Sequence, residues 1–122
     1  MAKIENFKYS VEEAFSNCFF IIPDYQREYV WQDKEVNKLL QDVCDEYDAT
    51  RDEEYFIGTV LVSEGKDNAL EVIDGQQRLT TLFLVLCALK HLLGDNAEID
   101  NLIATKKIGA DGKSKMNFRL NL

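Results

Sequence analysis

One junction constrains the fold of this chain more than any other segment. An apolar run over residues 70–73 is typical of a strand, and the pattern from Gln77 onward is typical of a helix. Between them lies Asp74-Gly75, where glycine lets the chain turn sharply because it has no Cβ atom. The junction therefore predicts a strand, a tight turn and a helix N-terminus in immediate succession.

The same junction brings together groups that can hold a phosphate. The first N–H groups of a helix lack backbone partners and carry a partial positive charge. Arg78 adds a planar, permanently charged guanidinium group that can donate hydrogen bonds to two phosphate oxygens. Asp74 fits such a site if it binds a metal ion, orients a water or ribose hydroxyl, or pairs with an arginine. An Asp-Gly before a helix also forms plain turns, but the two glutamines and the arginine that follow favour a binding site.

Length and charge limit what the chain can do. With 122 residues, 46% of them hydrophobic, residues 1–122 are predicted to form one domain with its own core. The net charge of −8 argues against a protein that coats nucleic acid by bulk attraction. Residues 33–54 carry nine acidic and three basic side chains, a net −6, which indicates a solvated helix face. Residues 106–122 carry five basic and one acidic side chain, a net +4.

The cysteines and the single histidine argue against several kinds of site. Cys18, Cys44 and Cys87 lie beside apolar residues without a Cys-x-x-Cys pair, so we expect reduced, mostly buried thiols in a cytoplasmic protein. His91 alone does not provide a histidine-rich zinc site or two-histidine catalysis. The N-terminus has no signal-peptide core, and the apolar run 79–93 is too short to span a bilayer, so no membrane association is expected.

Local patterns predict the elements of the first half. Ser10 and Glu13 have the spacing of a capping box, which predicts a short helix through Phe15. Residues 19–22 form a compact apolar strand pattern, and Asp33 is expected to cap a second, amphipathic helix.

The second half predicts a hairpin and a long helix. Residues 55–62 and 70–73 are expected to pair around a turn at residues 64–68, and Gly58 indicates a bulge or a close backbone approach. The helix that follows runs to about residue 93, with Gly94 as its C-cap.

The end of the chain raises the question of completeness. The long helix is apolar on all sides and therefore should be covered on all sides. Residues 115–122 alternate like a strand after a turn at residues 111–113. These features favour an N-terminal fragment of a longer protein, or one half of a homo-oligomer.

Two polar loops are candidates for one site. Residues 23–31 follow the first strand and Asp74 to Arg78 follow another, so both loops open on the same edge if these strands are neighbours. The aromatic residues of the first loop also suit a core or an interface. Arg27 could equally stack on a ring or pair with Asp33 or Glu35.

Three blocks of sequence together resemble a known family. They are residues 22–31 (IPDYQREYVW), 55–62 (YFIGTVLV) and 72–82 (VIDGQQRLTTL). In this order they resemble the DGQQR-containing ParB-like domain that forms the N-terminal part of GmrSD-type, modification-dependent restriction proteins. The resemblance spans roughly residues 5–93. It implies a ParB/sulfiredoxin-like α+β fold, a small mixed sheet with packed helices.

The resemblance also implies roles for the residues of the turn. Asp74 would orient the attacking water or bind a metal ion, with Mg²⁺ expected. Gln76 and Gln77 would contact the phosphates or the water, with Gly75 in the binding turn. Arg78 would neutralise charge that develops on the transferred phosphoryl group.

A second contact and a wider context follow from the same resemblance. Gln26 and Arg27 would form a further nucleotide or phosphate contact. The domain would bind a nucleoside triphosphate, hydrolyse it and thereby control cleavage of modified phage DNA. DNA would be engaged through the full-length protein, and an HNH-type nuclease would lie in a C-terminal or separate domain, because one histidine cannot build it here.

Two other functions remain open at the level of sequence. The domain could use nucleotide only as a switch for DNA binding, without hydrolysis. It could also be a structural scaffold in which Asp74 and Arg78 form an internal ion pair.

Overall fold

The computed structural model describes residues 7–23, 28–49, 55–65, 68–108 and 110–121. Within these ranges helices and strands pack as an α+β fold, which confirms the predicted class. The helices are α1 (Val11–Asn17), α2 (Asp33–Ala49), α3 (Gln76–Leu93) and α4 (Ala97–Ile103). The strands are β1 (Phe19–Ile21), β2 (Leu61–Glu64), β3 (Ala69–Asp74), β4 (Ala104–Ile108), β5 (Ser114–Phe118) and β6 (Leu120–Asn121).

A mixed sheet in the order β2-β3-β1-β6 organises the fold. β1 pairs in parallel with both β3 and β6, whereas β2 and β3 form an antiparallel hairpin. Because β1 and β3 run in the same direction, the segments that follow them emerge at the same edge of the sheet. The expectation that the two polar loops share an edge is confirmed for the parts of them that the structure describes.

The core lies between this sheet and the helices α1, α3 and α4. Phe15 of α1 is 1% exposed and meets Phe20 of β1 edge-on, with ring centroids 5.8 Å apart. Val72 of β3 is fully buried beside them. The sheet contributes its apolar face, and α3 contributes Leu79 and Leu86, which lie two turns apart on one side of the helix.

Two predicted helix ends are confirmed by their hydrogen bonds. The Ser10 hydroxyl accepts from the Glu13 N–H at 3.0 Å, and the Glu13 carboxylate accepts from the Ser10 N–H at 3.0 Å. These bonds favour the ionised carboxylate and hold the pKa of Glu13 below its usual value. At the far end of α3, Gly94 is the C-cap and donates its N–H to Lys90.

The second helix begins one residue away from its predicted position. Asp33 is the first residue of α2, and Gln32 precedes it, accepting from the N–H groups of Glu35 and Val36 at 3.1 Å. Gln32 therefore occupies the N-cap position, and the predicted cap at Asp33 is wrong. The Glu35 carboxylate in turn accepts from the Gln32 N–H at 2.9 Å.

The strand predicted over residues 55–62 is wrong for its first six residues. β2 begins at Leu61, and residues 55–60 have no regular secondary structure. This segment is rich in aromatic and β-branched residues, but it packs against the turn that follows β3 instead of extending the ladder. Gly75 has φ +89°, and a Cβ atom there would lie 2.8 Å from the Thr59 carbonyl oxygen and 3.1 Å from the Val60 Cα.

The C-terminal region contains two elements that the pattern analysis missed. Asn96 caps α4 by accepting from the N–H groups of Glu98 and Ile99 at 3.1 and 3.2 Å, and β4 follows directly.

The single strand expected over residues 115–122 is instead split into β5, which pairs with β4, and β6, which pairs with β1. The expected turn before it is confirmed.

Arg119 is the residue at which this strand divides. Its N–H donates to Ile103 at 2.8 Å, and its carbonyl accepts from Phe20 at 2.6 Å. The guanidinium is buried over the Phe19 ring, 4.3 Å from the centroid, and its Nε donates to the Asn101 carbonyl at 3.0 Å. Arg119 thus joins α4 to the sheet.

The long helix α3 is not covered on all sides within the described residues. Leu79 and Leu86 are buried, whereas Leu84 and Leu92 are exposed. The described residues therefore bury one side of α3 and leave the other side open, and the source of any further coverage stays a prediction. Among the described helices, none has the length and apolar content needed to cross a membrane.

The close packing at Gly75 predicts a large effect of adding one methyl group. We expect Gly75→Ala to lower the free energy of unfolding by about 2–3 kcal/mol, because backbone strain is added to a clash with atoms of another backbone segment. The matched control is Gly112→Ala, which also has positive φ but nothing within 4 Å; it should cost about 1 kcal/mol. Urea denaturation measures both, and equal losses would contradict the packing argument.

Candidate functional site

The site begins at the turn between β3 and α3. Asp74 is exposed, and one of its carboxylate oxygens accepts from the Gly75 N–H at 2.9 Å. Gly75 is the N-cap residue of α3 and has no side chain with which to accept from the first helical turn. An exposed carboxylate and the positive end of an 18-residue helix therefore adjoin at the sheet edge.

Arg78 lies over the backbone of the segment that precedes β2. A Cβ atom on Gly58 would be 2.1 Å from Arg78 Nη1 and 3.0 Å from its Cζ, so this position admits the guanidinium only because it is glycine. The Trp31 ring also faces this group, with the Arg78 Cζ 5.9 Å from the ring centroid. We call the Gly58 backbone and the Trp31 ring the Arg78 cradle.

The charge of Arg78 has no counter-ion among the described residues. No ion pair joins it to Asp74 or to another described carboxylate, although the chain carries 22 acidic residues. Its Nε atom is buried, and no hydrogen-bond partner for it lies in the described part of the chain. An arginine held in place without an anionic partner is a group that can receive an anion.

The Gln77 side chain binds the segment that returns from the first polar loop. Its Oε1 accepts from the N–H groups of Val30 and Trp31, at 2.8 and 3.1 Å. Its Nε2 donates to the Glu28 carbonyl at 2.9 Å. One carboxamide therefore fixes three consecutive peptide groups of the loop to the first turn of α3.

A second attachment lies one helical turn further along α3. The Thr81 hydroxyl donates to the Gln77 carbonyl at 2.8 Å and lies 2.8 Å from the Tyr29 hydroxyl. Because the single Thr81 proton is already donated, Tyr29 must be the donor to Thr81. Thr81 is 1% exposed, so this bond anchors the loop to a buried group.

The sequence matches the family model of the GmrSD restriction endonuclease, N-terminal domain, over residues 7–121. The chain belongs to this family. A search of the curated proteins found no match. Membership makes the chain part of a restriction protein of the kind that serves phage defence, with DNA and a nuclease domain as its context.

The structure of this GmrSD N-terminal domain brings most of the predicted site residues together. Asp74, Gly75, Gln77 and Arg78 occupy one turn and the start of one helix, and Gln76 is half-buried among them. Gln26 and Arg27 lie outside the described residues, so their predicted contact with a nucleotide stays a prediction. The roles of the turn residues toward a nucleotide also stay predictions.

The structure does not support a nucleophilic cysteine or a metal cluster among the described residues. Cys18, Cys44 and Cys87 are free; Cys44 is exposed and the other two are only half-buried, so the expectation of mostly buried thiols is wrong. Burial raises the pKa of Cys18 and of Cys87, which is opposite to the activation of a nucleophilic thiol. Among the described residues, no group of three or more histidine, cysteine or acidic side chains is arranged to hold a metal ion.

Sequence reasoning missed three parts of the GmrSD domain site. The sequence leaves Trp31 open between a place in the site and a core or interface, does not link Tyr29 to Thr81, and does not connect Gly58 with Arg78. The glycine inside a β-rich run was the one available signal: it predicts a bulge or a close backbone approach, and the group that approaches it is the Arg78 side chain. The other two contacts join residues about fifty positions apart, for which a single sequence carries no pattern.

The Arg78 cradle predicts that Gly58→Ala moves the Arg78 guanidinium out of place while lowering the stability of the fold only modestly. The clashing atom is the end of a flexible side chain, so the free energy of unfolding should fall by only about 1–2 kcal/mol from strain at φ +152°. The buried Arg78 Nε–H should exchange slowly in the wild-type domain and rapidly in Gly58→Ala, as seen by ¹⁵N NMR of arginine side chains. Slow exchange in both proteins would contradict the cradle, and Gly112→Ala is the control.

Proposed function

We propose that this domain binds a nucleoside triphosphate at the Asp74–Arg78 turn and hydrolyses it to control a restriction nuclease. The observation that carries the proposal is the position of Arg78, held against Gly58 and Trp31 without a counter-ion among the described residues. A guanidinium beside a helix N-terminus suits the phosphate oxygens of a nucleotide in both charge and geometry.

Asp74 gives the proposed site a place for Mg²⁺. Magnesium in phosphoryl-transfer sites is commonly held by one or two carboxylates together with substrate phosphates and water. Asp74 is exposed and uses one oxygen on the Gly75 N–H, so its other oxygen suits this arrangement. A bound Mg²⁺ would neutralise charge on the phosphates and remove the repulsion between Asp74 and the ligand.

Hydrolysis would need little covalent chemistry from the protein. The oxygen of a water would bond to the terminal phosphorus as the bond from that phosphorus to the bridging oxygen breaks. The electron pair of the broken bond would leave with the nucleoside diphosphate, and a proton of the water would pass to the released phosphate. Asp74 would orient that water, and Arg78 would stabilise the charge that develops on the terminal phosphoryl group. Gln76, Gly75, Gln26 and Arg27 would complete the nucleotide contacts. Nucleotide turnover would then regulate cleavage of modified DNA by an HNH-type nuclease domain elsewhere in the full-length cytoplasmic protein.

Binding is tested by the thermal stability of the domain with each of the four nucleoside triphosphates and Mg²⁺. A ligand at one hundred times its dissociation constant adds about 2.7 kcal/mol to the free energy of unfolding. Arg78→Met should weaken binding by tenfold or more, because a charge-assisted hydrogen bond contributes about 1.5–3 kcal/mol. Lys113→Met removes the same charge from an exposed turn and should bind like the wild type. No stabilisation by any triphosphate would reject the proposal.

A non-catalytic nucleotide switch is the second candidate, since an exposed Asp74 could also act only in orienting the ligand. Phosphate release with Mg²⁺ separates the two functions. Asp74→Asn keeps a side-chain oxygen for the Gly75 N–H but removes the charge, so it should abolish release while nucleotide still binds. Binding without release by the wild-type domain would favour the switch.

A further inference from the structure

We infer that Gln77 is a positioning residue, whose carboxamide holds the backbone of residues 28–31 so that Trp31 stays against the Arg78 guanidinium. The resemblance assigned to Gln77 a direct contact with phosphate or water. The structure instead places its side chain on the loop. The consequence for nucleotide affinity rests on the proposed function, whereas the effect on Trp31 does not.

The hydrogen-bonding capacity of the Gln77 side chain carries the inference. A carboxamide oxygen has two lone pairs, and Oε1 uses both on the N–H groups of Val30 and Trp31. The nitrogen has two protons, and one of them is donated to the Glu28 carbonyl. Three of the four hydrogen bonds available to this side chain are therefore made to the loop, and the oxygen has no capacity left for a ligand.

The hydroxyl pair of Tyr29 and Thr81 strengthens the same attachment. Tyr29 donates to Thr81, and Thr81 donates to the carbonyl of Gln77, so the loop is bound to both the side chain and the backbone of one residue. Glu28 and Val30 are exposed and are held mainly by their backbone groups. Without these bonds, residues 28–30 would keep few of the contacts that the structure describes for them.

The position of Trp31 connects the loop to Arg78. The Trp31 N–H is bound by Gln77, and its half-buried ring lies against the guanidinium of the next residue along the helix. Release of the backbone at Trp31 would remove one side of the Arg78 cradle. Gln77 therefore acts on the arginine through the loop, without touching the guanidinium itself.

Trp31 also supplies the measurement, because it is the one tryptophan of the chain. Gln77→Met has a similar shape but makes none of the three bonds, so tryptophan emission should shift to longer wavelength and acrylamide quenching should increase. Gln77→Glu keeps an oxygen for the two N–H groups but turns an acceptor toward the Glu28 carbonyl, so its emission should lie between those of Gln77→Met and the wild type. The control is Gln41→Met on exposed α2, where the glutamine donates to Asp45 at 2.7 Å; it should leave the emission unchanged. Unchanged emission in Gln77→Met would overturn the inference.

Amide hydrogen exchange tests the same point, first in the wild-type domain and then in two variants. The amides of Val30 and Trp31 should both be protected, and both should lose protection together in Tyr29→Phe to a smaller extent than in Gln77→Met. Free exchange of these amides in the wild type would overturn the inference even if Gln77→Met failed to fold.

Nucleotide titration then separates this inference from the proposed function. If Gln77 acts through the loop, Gln77→Met should weaken nucleotide binding about tenfold, a change of roughly 1.4 kcal/mol, together with the emission shift. Weaker binding with unchanged emission would indicate a direct phosphate contact and overturn the inference. If the wild type binds no nucleotide, the proposed function fails, but the emission and exchange results still decide the role of Gln77.

Discussion

The parallel pairing of β1 with β3 is the constraint on which the rest of the site depends. Phe19, Phe20 and Ile21 lie beside Ala69, Leu70 and Glu71, and this register directs both strands toward the same edge. Fully buried Val72 and the nearby Phe15 and Phe20 hold the pairing from the core side. An antiparallel pairing would send the first loop to the opposite edge, away from the start of α3.

The turn at this edge is determined by contacts from a third segment. The backbone at Thr59 and Val60 packs so closely on Gly75 that a Cβ atom there would clash, and Gly58 leaves room for the Arg78 guanidinium. The two glycines thus make room on the two sides of one contact. Gly75 lets the turn approach the backbone of Thr59 and Val60, and Gly58 lets the Arg78 side chain approach its own backbone. This explains why residues 55–60 leave the ladder even though their composition favours a strand.

The positive charge at the candidate site acts locally, although the net charge of the chain is negative. Its net charge of −8 would repel a polyanion at long range, but screening limits that repulsion to about 10 Å at ordinary ionic strength. Arg78 and the N-terminus of α3 concentrate positive potential in one small region, with no described carboxylate paired to the guanidinium. A small anion fits this arrangement better than a long nucleic acid does.

The sequence alone determined the elements with short-range signals. The capping box at Ser10, the β2-β3 hairpin, the turn at Gly75 and the end of α3 at Gly94 all follow from neighbouring residues, and each is present. Three blocks in order also indicated the family. Tertiary structure decided the rest: where β2 begins, how the C-terminal strands divide at Arg119, and which groups meet Gln77 and Arg78. These features depend on contacts between residues distant along the chain, whose free energies outweigh the small local preferences that a single sequence reveals.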